Sequence, residues 1–443
     1  MTSLVIYLVL AVYGIASFLG KRRHHFIVVL FVLISNGFGF INPKSTIIKS
    51  SDIALFMCFF LMLHHGLMFR GFFRIKGDPI AFCIVVLLGY YFIRMLVTVG
   101  TGAESFLDAV RVFRFDLFYL TYFLFRLITP EDLEKSFKPL FLLTSIAGVF
   151  YLLQFAGIQG ILYGRGEGNL GTHIQRFRNA PLLSAPIFFV LMNLKTNVKW
   201  RIIFLFFFAA LVVFPMSRGL IMTTFGVSFG AMVFKEGGRK LYRYLFVAAV
   251  VGVMSSQILL YRFSHGGNSV VEDINKAFKL GSYEEYLASG KGTFSFRIAV
   301  ALERLEYLSA ERSRFLFGIG TIHEDTKSNK LRFKLGSYKA GSEAPIKQMI
   351  DTDDIAFVTH LVRYGFLYMI LFSIFLCNVL LRFYKKRRFS AAFLGLLLIT
   401  QIMLGCLGTD QFSTFQQMAL LLILIALFAN KKEIPVVLKA TGL

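Results

Sequence analysis

The 443-residue chain is 56% hydrophobic, with mean hydropathy +0.67 and 52 phenylalanines. A soluble domain cannot hide that much apolar surface, so the composition excludes a soluble globular protein. The net charge of +23 does not imply nucleic acid, because residues 262–357 hold 14 Lys+Arg against 13 Asp+Glu and the excess lies in short loops and helix ends elsewhere, as membrane topology requires.

The first apolar run, 3–19, is followed by "GKRRHH" and not by a small-residue cleavage site, so it reads as a span rather than a signal peptide. Further spans are predicted near 26–42, 53–69, 79–99, 113–128, 139–159, 181–194, 202–217, 219–234, 244–261, 358–381, 391–408 and 413–430, about thirteen in all. The predicted fold class is all-α, a polytopic transmembrane helix bundle. Residues 1–261 carry ten spans, 262–357 form one large external loop domain, and 358–443 carry three spans and a tail. The loops "GKRRHH", "RGFFRIKG", "KTNVKWR", "KEGGRKLYR", "RFYKKRR" and the tail starting "KK" are strongly basic and are expected to stay cytoplasmic. "PEDLEKSFK" is the weak member of that set. The other loops then face out: 43–52, 100–112, 160–180, the tight turn at Arg218, 262–357 and "TDQFS".

In the long segment, "FSFRIAVALERLEYLSAER" places Ile298, Leu302, Leu305 and Leu308 at helical spacing with charges opposite, predicting an amphipathic helix over the outer mouth. The hexapeptide "FKLGSY" occurs there twice, from residue 278 and from residue 333. The four cysteines lie in apolar segments without CxxC spacing and read as packing residues, as do His64 and His65 in mid-span.

The arginines at the outer side need another explanation than the inward bias of positive charge. Arg218 lies between two apolar runs in "FPMSRGLIM"; Arg94 and Arg363 lie in the outer parts of their spans. Arg111 and Arg114 share a helical face, Arg176 and Arg178 sit in "GTHIQRFRNAP", and Arg297 starts the amphipathic helix. An arginine at membrane depth costs roughly 2.5–3.5 kcal/mol on insertion scales and usually faces a cavity and a partner. The carboxylates outside the long loop that are at hand are Glu104, Asp108, Asp116, Glu167 and Asp410. The mouth therefore reads as an anion receptor suited to phosphate or pyrophosphate, which the arginine fork binds through two oxygens. The competing readings are ordinary: lipid headgroups for Arg218, a loop acid for Arg297, a solvated loop face for Arg176 and Arg178, internal ion pairs for Arg94 and Arg363.

Three short motifs in order resemble the bacterial O-antigen polymerase (Wzy-type) and O-antigen ligase superfamily. They are the "SRG" turn at 217–219, "SFRIAVALERLEYL…RFLFGIGT" in the loop, and "DTDDIAFVTHLVRYGFLYMI" ending in a Tyr-Gly pair before the next span. The resemblance covers roughly residues 140–410. It implies glycosyl transfer on the outer face of the bacterial cytoplasmic membrane, from a polyprenyl-pyrophosphate-linked oligosaccharide to an acceptor hydroxyl. Arg218 and Arg297 match the family's motif arginines and are expected to hold pyrophosphate, without a metal or other cofactor. Membrane lipids and a chain-length regulator are further expected partners; nucleic acid is not.

The chain departs from the ligase pattern at one point. Ligases of the family carry a histidine eleven residues before the glycine that opens the next span; counting back from Gly365 reaches Asp354. His360 comes too late and is expected inside the helix. Asp354, with Asp353 second, is the expected base for the acceptor hydroxyl, and His265 and His323 stand in reserve. Three acids in "DTDD" also suit a plain helix N-terminus. The departure leans the reading toward polymerase, with ligase as the alternative. A lipid-linked oligosaccharide flippase is an alternative of another class, which would need a charged path through the bilayer.

Overall fold

The computed structural model describes residues 2–41, 49–155, 162–163, 166–167, 176–177, 183–193, 198–215, 217–236, 270–289, 293–323, 333–335, 337–338, 345–347, 355–407, 412 and 415–429. Its apolar runs form helices: α1 (Thr2–Leu19), α2 (Arg23–Ile34), α3 (Ser50–Met68), α4 (Pro79–Gly100), α5 (Phe106–Leu117), α6 (Thr121–Phe125), α7 (Pro130–Phe155), α8 (Ser184–Asn193), α9 (Val198–Val213) and α10 (Arg218–Glu236). The series resumes with α11 (Val270–Lys279), α12 (Tyr283–Ser289), α13 (Thr293–Ser309), α14 (Arg312–Phe317), α15 (Ala356–Lys385), α16 (Ser390–Gly405) and α17 (Phe415–Leu427). Two small antiparallel ladders interrupt it, β1 (Gly166–Glu167) with β2 (Arg176–Phe177) and β3 (Ser337–Tyr338) with β4 (Pro345–Lys347).

Helices α3, α4, α7 and α15 are long and apolar enough to cross a membrane. Their outward faces are apolar too: Phe56, Phe60 and Leu63 on α3, Phe92 and Ile93 on α4, and Leu142 and Ile146 on α7 are exposed. Exposed apolar surface on this scale needs lipid rather than water around it, so the protein is membrane-embedded. From Met418 to Leu427 the shorter α17 is apolar all round, and these residues are buried without a break. A helix with no polar face belongs in the interior.

Not every predicted span is one continuous helix. The sequence predicts a single helix over 113–128, but a 3-10 turn at Phe118–Leu120 separates α5 from α6. The division follows a change of environment. Helix α5 is one-sided, burying Ala109, Val112, Phe113 and Asp116, whereas Thr121–Phe125 of α6 is buried throughout. The predicted span at 244–261 lies outside the described residues.

Helices α4 and α15 pack side by side and define two ends of the bundle. At one end Asp78 caps α4, accepting from the amide of Ile80 at 3.2 Å, and Pro79 follows at the first helical position. The same carboxylate accepts from the Tyr122 hydroxyl at 2.5 Å and pairs with Arg382, near the end of α15, at 2.9 Å. Arg126 donates to the Arg74 carbonyl at 2.8 Å, and Arg23 to the Leu127 carbonyl. Three of the basic loops, "GKRRHH", "RGFFRIKG" and "RFYKKRR", lie at this end among the described residues.

The segment before α15 builds a small unit on the opposite end. Ala299 and Val300 of α13 pack with Tyr283 and Leu335, and Leu308 packs with Ile322, Phe333 and Val362 of α15. The two "FKLGSY" copies thus meet against α13: Lys334 of the second lies over the Tyr283 ring of the first, 5.2 Å from its centroid. The predicted amphipathic helix forms, but its buried face differs from the expected one. Leu305 is 39% exposed, while the charged pair Glu303 and Arg304 is buried. The pair is held on several sides: Arg304 bonds Glu303 and the Leu335 carbonyl (2.8 Å) and stacks on Phe333. Glu303 takes the amides of Lys334 and Leu335. A buried charge is tolerated when a partner and peptide groups share it, which the helical period cannot reveal.

Candidate active site at the broken helix

Helix α15 is broken where the sequence carries its Tyr-Gly pair. Gly365 has φ 77° and ψ −176°, a backbone conformation open essentially to glycine alone. A break leaves the carbonyls of the preceding turn without their own helical amides, which is costly in a membrane. Here those carbonyls are taken up from outside. The amides of Ile319 and Gly320 donate to the carbonyls of Val362 and Arg363, both at 2.8 Å, and the Tyr90 hydroxyl donates to the Tyr364 carbonyl at 2.5 Å.

The donors of those two amide bonds belong to "GIGTIH", residues 318–323, a strap laid between α15 and α4. On its other side Arg94 Nη2 donates to the Gly318 carbonyl at 3.1 Å, and Thr98 Oγ1 accepts from the Thr321 amide at 3.1 Å. Glu104, buried just past the end of α4, accepts from the His323 amide at 2.9 Å. The approach is so close at Gly320 that a Cβ would stand 2.0 Å from Thr98 Oγ1. These contacts bring Arg94 and Arg363 to one junction. Arg363 is buried at 4% exposure. Arg94 is half-buried, with the Phe317 ring 5.9 Å away; among the described residues no carboxylate pairs with it. A guanidinium held by a peptide carbonyl and an aromatic ring keeps its charge and further donors for an anion.

Other predicted residues fall differently. Arg218 opens α10, capped by Ser217, whose carbonyl takes the Ile221 amide at 3.0 Å and whose hydroxyl takes the Leu220 amide. This N-terminus belongs to the same end of the bundle. Gln401 of α16 bonds Thr224 of α10 at 2.8 Å, and the Cys406 carbonyl beyond α16 accepts from Ala356 at the start of α15. Arg297 is partly buried on α13, about 16 Å along that helix from Leu308, the residue packed against α15. Arg176 lies in β2 opposite Glu167 of β1. Arg178, Asp353, Asp354 and His265 lie outside the described residues.

Two arginines of the mouth are paired. Arg111 bonds Asp108 at 2.7 Å on the exposed side of α5, the acid itself tied to the cap residue Ser105. Arg114 bonds Asp52 at 3.2 Å, a carboxylate at the start of α3 that the sequence reading did not count among available partners. Its signal was present: an acid in the first turn of a predicted span is placed to meet a cation at the same membrane level. Asp116 accepts from the Tyr364 hydroxyl at 2.7 Å, so it supports the residue before the break. His360, as expected, lies inside α15, buried among Tyr364, Tyr368, Phe372 and Phe412. His65 is likewise packed, its ring against Phe18 and Nδ1 at 3.0 Å from the Leu61 carbonyl. Sequence reasoning missed Thr98 and Glu104 as anchors of the strap, because a threonine or a glutamate at a span's end carries no local mark of a partner more than two hundred residues away. Compared with known protein families and with curated proteins, the chain matches none.

Proposed function

We propose that this membrane protein is a metal-independent glycosyltransferase that polymerises glycan repeat units carried on polyprenyl pyrophosphate, as the resemblance in its three motifs implies. In this reading the chain crosses the bacterial cytoplasmic membrane about thirteen times, by the charge of its loops. The Arg94 end and the 262–357 segment then face the outside. The acceptor hydroxyl of one lipid-linked unit attacks the anomeric carbon of another, the bond to the phosphate oxygen breaks, and the pyrophosphate leaves with the electron pair. Arg94 and Arg363 at the junction, with Arg218 and Arg297 from the motifs, meet that growing charge; Arg176 and Arg178 complete the predicted set. Donors fixed before the reaction stabilise the developing anion at no cost of reorganisation. The segment over the mouth keeps water from the reacting carbon.

The observation that carries the reading is Arg94: a cation in a spanning helix, bonded to a neutral carbonyl, beside the buried Arg363 at a helix break. A purely structural arginine at this depth would be expected to have a carboxylate, as Arg382 has Asp78 at the other end. The test is a glycan gel of cells lacking the protein, complemented with wild type, Arg94→Ala, Arg218→Ala or Asp354→Asn. Glycan capped at one repeat unit in the deletion, and restored by wild type but not by Arg94→Ala or Arg218→Ala, is the expected result. Full-length glycan stranded on its carrier would mean transfer to a lipid core, the ligase reaction. Repeat units confined to the inner face would mean a flippase, and an unchanged ladder would remove glycan assembly from consideration.

A further inference from the structure

We propose that the end of the bundle opposite the strap holds one anionic phospholipid whose headgroup carries two phosphates, the cardiolipin class. Its cradle is the loop between α3 and α4 together with the turn that follows α15. The assignment stands apart from the transfer reaction proposed for the other end.

Residues 69–78 and 382–388 hold eight lysines and arginines against one acid, Asp78. Arg382 takes that acid at 2.9 Å, with the Tyr122 hydroxyl and the Ile80 amide on the same carboxylate. Seven cations are left, and among the described residues none of them meets a carboxylate. Asp132, at the start of the neighbouring α7, accepts from Thr129 instead.

Both segments are ordered by the fold. In the first, the amides of Phe72, Arg74 and Asp78 bond the carbonyls of Phe69, Gly71 and Ile75 at 3.2, 3.0 and 3.0 Å. Phe73 lies against α3 so closely that a Cβ on Gly66 would stand 2.7 Å from its ring, and Phe123 packs on it at 5.4 Å. Arg126 fastens the Arg74 carbonyl. In the second, the amides of Lys386 and Arg387 bond the carbonyls of Arg382 and Tyr384, and the Arg387 guanidinium lies 4.0 Å over the Tyr384 ring. With this backbone fixed, Arg70, Arg74, Lys76, Arg387 and Arg388 are left exposed. Little backbone order remains to be lost when a ligand arrives.

Placement selects a lipid over a free anion. Helices α3 and α4 are both long and apolar enough to cross a membrane, so the short loop that joins them lies at its surface. Beside the cations of that loop Leu67, Met68 and Phe69 are exposed, as are Leu381 and Tyr384 before the second group. Apolar side chains next to exposed cations match acyl chains beneath a phosphate headgroup. The number of phosphates follows from the seam between the segments. The neutralised Asp78–Arg382 pair divides the cations into two groups, with Lys76 two residues before Asp78 and Lys385 three after Arg382. A single phosphate can meet one group, whereas two phosphates on a short linker can meet both.

Loop charge that only orients helices acts through its sum, whereas a site acts through particular side chains. The experiment titrates the full-length protein, purified in detergent and stripped of lipid, and counts bound lipid by native mass spectrometry. The probes are tetraoleoyl cardiolipin, dioleoylphosphatidylglycerol and dioleoylphosphatidylcholine. The expected result is a single cardiolipin per chain, held about tenfold or more tightly than phosphatidylglycerol, with phosphatidylcholine weaker still. Arg74→Gln with Lys76→Gln, and Arg387→Gln with Arg388→Gln, should each weaken cardiolipin about tenfold or more. Lys135→Gln with Lys138→Gln removes the same charge from exposed positions of α7 and should stay within about threefold of wild type. All variants are compared as monodisperse protein. Phosphatidylglycerol or phosphatidylcholine binding as tightly as cardiolipin would overturn the proposal. So would equal weakening by the α7 pair, which would leave only diffuse charge. Displacement of cardiolipin by inorganic pyrophosphate at matching concentration would make the site one for a soluble anion and overturn it too.

Discussion

The two ends of the α4–α15 pair solve the same problem in opposite ways. Each must hold an arginine of a long apolar helix near the membrane surface. At the Asp78 end, Arg382 meets a carboxylate that also accepts from Tyr122 and caps α4. That end is closed around Arg382: the cation is neutralised and both oxygens of Asp78 are used. At the other end α15 breaks at Gly365, and the carbonyls released accept from the amides of a strap. Arg94 meets only a peptide carbonyl and a ring among the described residues. A neutral partner orients a cation without cancelling it. The closed end neutralises its arginine, and the open end leaves Arg94 to neutral partners among the described residues.

That contrast can be broken most severely at the helix break. Gly365→Ala would force a side chain into a conformation near φ 77° with its Cβ 2.4 Å from the Leu316 carbonyl oxygen. A loss above about 4 kcal/mol is expected, enough to remove folded protein. Normal yield and a single monodisperse peak in detergent would mean that the break is not required.

Next in size is the closed end. Asp78→Ala leaves Arg382 without its carboxylate and should cost about 3–5 kcal/mol, since the remaining charge is still half-buried. Adding Arg382→Met should recover part of that loss, because two apolar groups leave no stranded charge. Thermal unfolding of both single variants and the double variant closes the cycle; simple additivity would deny the coupling.

The open end is expected to invert the pattern. Arg94→Ala should cost only about 1–3 kcal/mol in stability, the worth of one charged hydrogen bond to a carbonyl. In the proposed transfer reaction its loss in elongation rate should reach about 100- to 1,000-fold. Large destabilisation with activity per folded molecule unchanged would make Arg94 structural, like Arg382.

The smallest effect comes from the exposed mouth. Asp108 has a folded-state value below its ordinary 3.8, through the Ser105 hydroxyl first and Arg111 after it. A lowered carboxylate adds stability above that ordinary value, and the contribution disappears as the pH falls through the lower folded value. Melting temperatures compared at pH 7 and pH 3, for wild type and Asp108→Asn, should converge slightly in acid. Divergence in acid would reverse the sign and contradict the Ser105–Arg111 arrangement.

Legibility followed the range of the interactions. The positions of α1, α3, α4, α9, α15 and α16 could be read because burial in lipid or protein makes whole runs apolar, and Asp78-Pro79 announces its cap by residue type alone. The strap and the break were legible only as glycine motifs at 318–320 and 365, seen through the resemblance; that they bind each other could not be read. The exposure of Leu305 and burial of Glu303 and Arg304 ran against the helical period, since the carboxylate serves the amides of 334 and 335 thirty residues away. In the candidate site, Arg94 and Arg363 were recognisable as cations at membrane depth, whereas Thr98 and Glu104 were not recognisable as anchors of the strap.

The sequence by itself determined that the protein lives in a membrane and where its long apolar helices run, because hydropathy acts residue by residue along the chain. Tertiary structure alone decided which arginines are neutralised and which keep their charge. A carbonyl freed by a broken helix, an amide from a distant strap and a carboxylate across the bundle must arrive at one place before that question has an answer.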